Sequence, residues 1–193
     1  LWSGLNDATR TQEVTSGARI ADYGVGGING STNIYATASK IRKGGRVSFV
    51  NASGQYRFRV MATYGSGLLD NGWSYAVSVS TRQGENSWTK GTYYDNWGYF
   101  ISIEKNFANY HNLALTVLGT PGERAVQGAS TQEAYDLVGS NTYNPNWGYQ
   151  DGKERNARVR DNHEPVITLN YNYEPNARFN LSSAFSFRFG KNG

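Results

Sequence analysis

The segment with the clearest potential for ligand chemistry is glycine-rich and reads YGVGGINGSTNIYATAS at residues 23–39. A dinucleotide-binding loop has the pattern G-x-G-x-x-G between a strand and a helix, so that backbone N–H groups bind the pyrophosphate. Here the third glycine of that pattern is replaced by Asn29, and the β-branched and small polar residues that follow predict a strand. We therefore predict that the glycines serve backbone turns and close strand packing, not phosphate binding. They are Gly24, Gly26, Gly27 and Gly30.

Residue types that support catalysis or metal binding are few. The sequence has no cysteine, no G-x-S-x-G nucleophile motif, and two histidines, His111 and His163. His163 lies beside Asp161 and Glu164, a local set of metal-ligand types, but we favour a solvated loop end beside the sixth strand over a metal site. A carboxylate pair for glycoside hydrolysis is available among Glu123, Glu133 and Asp136. We predict instead that these acids keep a loop soluble, and that the protein is not an enzyme and uses no cofactor or metal.

Candidate ligand contacts come from aromatic and arginine side chains. Tyr143, Trp147 and Tyr149 lie among Asn, Gly, Gln and Asp residues, a mixture that suits glycans or peptides. The alternative is that these rings fix a loop onto itself or onto a neighbouring loop. Arg57 and Arg59 alternate with apolar residues, which predicts that they share one face of a strand. There they would attract an anionic solute or pair with acidic residues of the protein.

Charge and hydropathy limit the classes of partner. The net charge is +4 and the isoelectric point is near 9.2, but the basic residues are scattered, so we predict no nucleic-acid partner. Mean hydropathy is −0.62, and no apolar run is long enough for a transmembrane helix. Membrane-spanning strands also have low mean hydropathy, because only alternate residues are apolar.

Alternation with a period of two dominates the chain from residue 46 onward and predicts an all-β, antiparallel fold. Seven segments show it: 46–49, 56–64, 73–80, 97–104, 113–117, 167–173 and 178–189. Several alternate for about nine residues or more, the length at which a tilted strand crosses a bilayer, and aromatic residues lie at their ends. The connections alternate between short and long, with long ones predicted over 83–96 and 119–164. Both features favour a membrane β-barrel over a soluble β-sandwich.

The stretch YGVGGINGSTNIYATASKIRKGGRVSF resembles the end of the plug domain and the first barrel strand of TonB-dependent outer-membrane receptors. Gly26, Gly27, Asn33 and Ile34 match the glycine-rich turn and the short strand with Asn-Ile that finish the plug in that family. The insertion at 29–32 departs from its commoner form. The stretch STQEAYDLVGSNTYNPNWGYQDGKERNARVRDNHEP resembles an external loop of the large receptors that carry a carboxypeptidase-regulatory-like N-terminal domain.

This resemblance implies that residues 1–43 are the C-terminal part of a plug, in which Asn33 joins the four glycines as a structural turn residue. Residues 44–193 would be the first seven or so strands of a large antiparallel transmembrane barrel, with a long external loop at 119–164. The parent barrel would have about 22 strands. Because bacterial barrels close with an even number of strands, we expect the chain to be a fragment of a longer protein.

The function implied is import of a scarce solute, such as a glycan, a peptide, an iron chelate or a vitamin, across the cell outer membrane. The implied partners are outer-membrane lipid, the solute, a surface lipoprotein and the TonB complex, which engages a segment N-terminal to the plug. Two alternatives remain: a soluble or surface β-sandwich that binds glycans through exposed aromatics, and a porin-like or adhesin barrel without a plug.

Overall fold

The structure is a computed structural model, and it describes residues 11–18, 28–53, 56–85, 88–108 and 110–193. Strands make up 62% and helix 6%, with antiparallel sheets, which confirms the predicted all-β class. The strands are β1 (Thr11–Ser16), β2 (Gly30–Tyr35), β3 (Gly44–Asn51), β4 (Phe58–Gly65), β5 (Trp73–Glu85), β6 (Tyr93–Phe107), β7 (His111–Gly119), β8 (Gly122–Ala125), β9 (Trp147–Gln150), β10 (Lys153–Asn156), β11 (Val159–His163), β12 (Val166–Asn176), β13 (Phe179–Arg188) and β14 (Lys191–Asn192). A short 3-10 helix spans Ala38–Lys40, and an α-helix, α1, spans Gln132–Val138.

The main sheet is an antiparallel meander in the order β3-β4-β5-β6-β7-β12-β13. Each of the seven segments predicted from alternation forms one of these strands. The long connection predicted over 83–96 is wrong, because β5 and β6 stay paired as far as Glu85 and Tyr93. The backbone ladder continues there past the point where the side chains stop alternating, and only residues 86–92 connect the two strands.

The main sheet is open. Its outermost strands, β3 and β13, each have one edge that pairs with no other strand in the described part of the chain. The sheet therefore does not close into a barrel. An edge strand of this kind can extend its ladder by pairing with a further strand.

The segment predicted as a long loop at 119–164 contains regular structure of its own. β8 pairs with the N-terminal residues of β6, Tyr93 to Asn96, and with β11. β11 also pairs with β14. β9 and β10 form a separate hairpin whose turn, Asp151 and Gly152, has positive φ at both residues. This turn geometry matches the twist of a two-residue hairpin.

The two faces of the main sheet differ in a way that inverts the usual pattern of a soluble protein. We call one the apolar face; its large side chains are exposed. They are Val47, Phe49, Val60, Tyr64, Tyr75, Val77, Val79, Trp97, Ile101, Ile103, Leu113, Leu115, Leu169, Phe185 and Phe187. The other, the polar face, is buried over β4 to β7 and is rich in small and polar side chains. Its buried residues include Arg59, Met61, Thr63, Ser74, Ala76, Ser78, Ser80, Arg82, Phe100, Ser102, Glu104, Ala114 and Thr116.

Candidate functional site

The segment between β2 and β3 lies against the polar face. Ala38 and Ile41 are buried there with Ala76 and Phe100, in a small core that also includes Leu118 and Val166. Gly65 allows this approach, since a Cβ at that position would lie 2.7 Å from the carbonyl oxygen of Arg42. The chain leading into the first strand of the sheet is therefore held against the polar face.

Glu104 holds this segment by hydrogen bonds. Its carboxylate accepts the backbone N–H of Ser39 at 2.8 Å and the Ser39 hydroxyl at 2.9 Å. A third bond, 2.6 Å long, comes from the side-chain amide of Asn112 on β7. Glu104 is only 5% exposed, so this buried carboxylate depends on its three donors. The partners are distant in sequence, and sequence reasoning missed the site.

A cavity of about 1490 Å³ lies between β2 and the polar face of β6, β7, β12 and β13. Many residues of its wall carry hydroxyl or amide groups, among them Asn106, Asn112, Asn170, Asn172, Ser182 and Ser186, and apolar side chains such as Leu68, Leu69 and Leu118 line it as well. A few charged residues, such as Glu104, Glu174 and Lys40, also line it. This chemistry suits water and polar solutes.

The predicted turn glycines fall in two groups. Gly24, Gly26 and Gly27 lie outside the described residues. Gly30 begins β2 with a φ of +117°, and a Cβ there would lie 2.0 Å from the carbonyl oxygen of Thr15. Both its conformation and its contact with β1 require glycine. Asn33 lies within β2 opposite Glu13 on β1, in the strand and not in a turn.

Arg57 and Arg59 take different positions. Arg57 precedes β4 and is exposed, and its backbone N–H donates to the carbonyl of Gln83 at 2.9 Å. Arg59 is 9% exposed on the polar face, with Nη2 3.4 Å from the sulfur of Met61. It lies directly opposite Arg82 on β5, which is 8% exposed and carries its guanidinium 5.7 Å from the ring of Tyr56. Arg59 thus lies opposite a second buried arginine.

The three aromatic contact candidates also differ. Trp147 begins β9 and packs on the neighbouring 86–92 connection: the Lys90 ammonium lies 5.4 Å from its ring, and it leaves no room for a Cβ on Gly91. Tyr143 is half-buried. Tyr149 is 71% exposed on the β9–β10 hairpin. Trp147 therefore fixes one connection onto another, while Tyr149 is accessible.

Asn144 fixes the same two connections and was missed by sequence reasoning. It is fully buried, and its side-chain amide donates to the carbonyl of Lys90 at 3.0 Å. Its oxygen accepts the backbone N–H groups of Gly128 and Asn146, both at 3.1 Å. The Asn-Pro dipeptide at 144–145 signals a turn, but not which chain segment the turn binds.

The two histidines and their acidic neighbours have separate partners. His163 Nε2 lies 3.0 Å from the Tyr99 hydroxyl, and His111 Nδ1 lies 2.7 Å from the Tyr171 hydroxyl. Asp161 pairs with Lys191 at 3.0 Å, and Glu164 pairs with Arg188. Across the described ranges no three His, Cys, Asp or Glu side chains are grouped to hold a metal ion.

One tyrosine has a perturbed acidity. The Tyr93 hydroxyl, at the start of β6, donates to the Glu123 carboxylate at 3.2 Å. Burial, and next this hydrogen bond and the negative charge of Glu123, raise the pKa of Tyr93 above its usual value of 10.0. The neutral phenol is the form that this contact stabilises.

Within the described residues, no helix has the length and apolar character needed to cross a membrane. Comparisons with models of protein families, with curated proteins and with solved structures found no match.

Proposed function

We propose that this chain is part of a TonB-dependent outer-membrane receptor that imports a scarce solute, with the main sheet as a section of the barrel wall. The observation that carries the proposal is the inversion of the sheet: the apolar face is exposed and the polar face is buried. Soluble monomers rarely expose a continuous apolar patch of more than a few hundred Å². Lipid hydrocarbon would keep this face out of water, and each Å² of apolar surface removed from water contributes about 25 cal/mol.

The height of the apolar face supports this proposal. It is bounded at the short-connection end by Trp73 and at the other end by Trp97, which lies opposite Thr81 on β5. From Trp73 to Thr81 is about 27 Å along the strand, or roughly 21 Å along the membrane normal at a tilt of about 40°. Outer-membrane barrels have an apolar band of about 25 Å, so the dimensions agree.

Aromatic residues gather at both ends of that band, as interfacial girdles do. At the short-connection end, the rings of Trp73 and Tyr75 stack at 5.8 Å, and Lys105 lies 4.9 Å from the Trp73 ring. His111 and Tyr173 stack at 4.5 Å beside them. At the opposite end, Trp97 is exposed, and Phe187 and Phe189 stack at 5.4 Å.

The connections support an orientation. The links 66–72, 108–110 and 177–178 lie at one end of the sheet and are short. At the other end, 52–57 and 86–92 are similarly short, and the orientation rests on the 120–165 segment, which is long. Outer-membrane barrels keep short turns in the periplasm and long loops outside. By this rule β3 begins at the periplasmic side, and Tyr149 on the β9–β10 hairpin faces the outside.

The segment before the sheet fits the end of a plug. β1 and β2 pair with one another, β2 lines the cavity on the polar face, and Ser39 is bound to Glu104. A plug held inside the barrel by hydrogen bonds at the periplasmic end would move when the TonB complex pulls on its N-terminal side. In this proposal the solute binds non-covalently and passes through the space that the plug vacates.

The alternative, a soluble β-sandwich that binds glycans, needs a second sheet to cover the apolar face. The small sheets among the described residues pair with the ends of the main sheet or only with each other, so none of them provides that cover. A plug-free barrel would leave the polar face without the Ser39 contact.

The test uses adjacent residues on opposite faces. β13 offers two pairs, Phe185 with Ser186 and Leu181 with Ser182, and the sequence contains no cysteine. A spin label on F185C or L181C in the full-length parent should collide with dissolved oxygen in the bilayer. A label on S186C or S182C should collide with an aqueous nickel chelate. Equal aqueous access at both members of a pair would overturn the barrel and favour a soluble protein.

Transport is tested separately from membrane insertion. The parent should be found in the outer-membrane fraction, should migrate differently when unboiled, and should support uptake only in cells with a functional TonB complex. Uptake that continues without TonB would contradict a receptor and support a passive pore.

A further inference from the structure

One row of side chains crosses the polar face near the end with the long connections. The register places Arg82 opposite Arg59 on one side and opposite Asn96 on the other. The row then continues through Gly122 on β8 to Asn162 on β11. Gly122 is covered by Asn96, since a Cβ on Gly122 would lie 2.4 Å from the Asn96 side chain. Five strands thus contribute to a single line of polar groups, which we call the arginine row.

The arginine row contains buried polar atoms without partners. Arg82 Nε, Asn96 Oδ1 and Asn162 Oδ1 are shielded from solvent and have no hydrogen bond. Among the described residues, no carboxylate pairs with Arg82, whose contact is with the face of the Tyr56 ring. Arg59 has contacts of its own, so Arg82 is the cation available to a ligand. Most buried polar groups in native proteins are satisfied, and a buried charge without a counter-charge is costly.

We propose that the arginine row binds an anionic, hydroxyl-rich solute of the acidic-saccharide class. This inference rests on the proposed receptor function and specifies its substrate. A planar carboxylate matches the guanidinium fork of Arg82. The oxygens of Asn96 and Asn162 are acceptors, so they need hydroxyl donors and disfavour a second negative charge.

Spacing also favours a short oligosaccharide. Adjacent strands are about 4.8 Å apart, so Asn96 lies about 5 Å and Asn162 about 14 Å from Arg82 along the row. A ligand that reaches all three is elongated, with its acidic group at one end and hydroxyls along its length. A compact polyanion would satisfy Arg82 but would place negative charge against the asparagine oxygens.

The experiment measures binding to the full-length parent in detergent by calorimetry. The probes are a disaccharide with one uronic acid and the same disaccharide with its carboxylate reduced to an alcohol. We expect the wild-type protein to bind the acid at least tenfold more tightly, and Arg82→Gln to abolish that preference. Arg82→Lys keeps the positive charge but loses the bidentate geometry of the guanidinium, so it should retain part of the preference for the acid. Arg178→Gln, at the opposite end of the sheet, is the matched control and should leave the preference unchanged.

Two results would overturn the inference. One is a wild-type protein with no preference for the acid, which needs no variant to observe. The other is an Arg82→Gln protein that loses stability and keeps the preference, because Arg82 would then pair with a carboxylate of the protein itself. Either result leaves the receptor proposal standing if the Phe185 and Ser186 labels report lipid and water. If the labels report equal aqueous access at both positions, the receptor proposal and this inference are both wrong.

Discussion

The polar face contains two buried charges, Glu104 near the short connections and Arg82 near the long ones. They differ in how completely their polar atoms are hydrogen-bonded. Glu104 accepts three hydrogen bonds, two of them from Ser39, and every donor is supplied by the protein. Arg82 is buried to a similar degree, yet its Nε has no partner. A satisfied buried charge holds a structure together, whereas an unsatisfied one lowers stability and persists where it has another use. The comparison assigns anchoring to one end of the face and ligand binding to the other.

The largest expected effect on stability comes from removing the Glu104 carboxylate, which binds Ser39. Glu104→Ala leaves the partly buried Ser39 N–H and hydroxyl without an acceptor and removes one of the two hydrogen bonds that the Asn112 amide donates, the other being to Asn106. We expect a loss of about 3 kcal/mol or more in the free energy of unfolding of the parent, measured by urea titration in detergent. Glu154→Ala, at an exposed position on β10, is the control and should stay within about 0.5 kcal/mol of wild type. Equal effects of the two changes would show that the Ser39 contact does not anchor the segment.

A second change tests whether the end with the long connections also contains anchored groups. Asn144→Ala removes one hydrogen bond that joins the long segment to Lys90 in the 86–92 connection and two that hold Gly128 and Asn146 within the long segment, and we expect a local loss of about 2 kcal/mol. Hydrogen exchange at the Gly128 and Asn146 amides should accelerate by more than tenfold. Asn141→Ala, an exposed neighbour, should leave those amides unchanged. Unchanged exchange in the Asn144 variant would contradict the packing described.

The third prediction has the opposite sign. Arg82→Met replaces a buried cation whose Nε has no hydrogen-bond partner with an apolar side chain of similar length. We expect the parent to become more stable by about 1 kcal/mol in the same urea titration, and to lose its preference for the acidic disaccharide. A variant that is destabilised as strongly as Glu104→Ala would remove the contrast between the two charges.

The smallest expected effect is on the pH dependence of stability, and it comes from Tyr93. Because the pKa of Tyr93 is raised in the folded protein, its contribution to stability is fully present below pH 10.0 and declines as pH rises through the folded-state value. The unfolded chain loses this proton first. Tyr93→Phe should therefore flatten the fall in stability above pH 10, measured by urea titration at a series of alkaline pH values. An identical alkaline slope in wild type and variant would contradict the raised pKa.

The sequence predicted the sheet better than the sites because alternation is a local property and pairing is not. Val77, Val79 and their counterparts identify a strand with one apolar face, and that was sufficient to find every strand of the meander. Beyond Thr81 and Trp97, the paired residues Arg82–Glu85 and Tyr93–Asn96 do not alternate between apolar and polar side chains, so no periodicity marks where the two strands end.

Site residues were harder to predict, since each site joins distant parts of the chain. Ser39 and Glu104 are 65 residues apart, and Asn162 reaches the arginine row through β8 and β11, inside a segment read as a loop. Arg59 was correctly placed on the buried face by its alternation. Its partner Arg82 has the same alternation, but only the register shows that the two lie opposite one another.

The open edges of β3 and β13 have a consequence for the order of assembly. Most strand pairs in the meander are joined by short links, so they can form early and cheaply during folding. The 119–164 segment separates β7 from β12 in sequence. Because this segment folds on itself, it lowers the loop-closure entropy that must be lost when these two strands pair. Closure of any larger sheet through the free edge of β3 is the pairing with the greatest sequence separation and would come last. Until then that edge is a template for wrong partners.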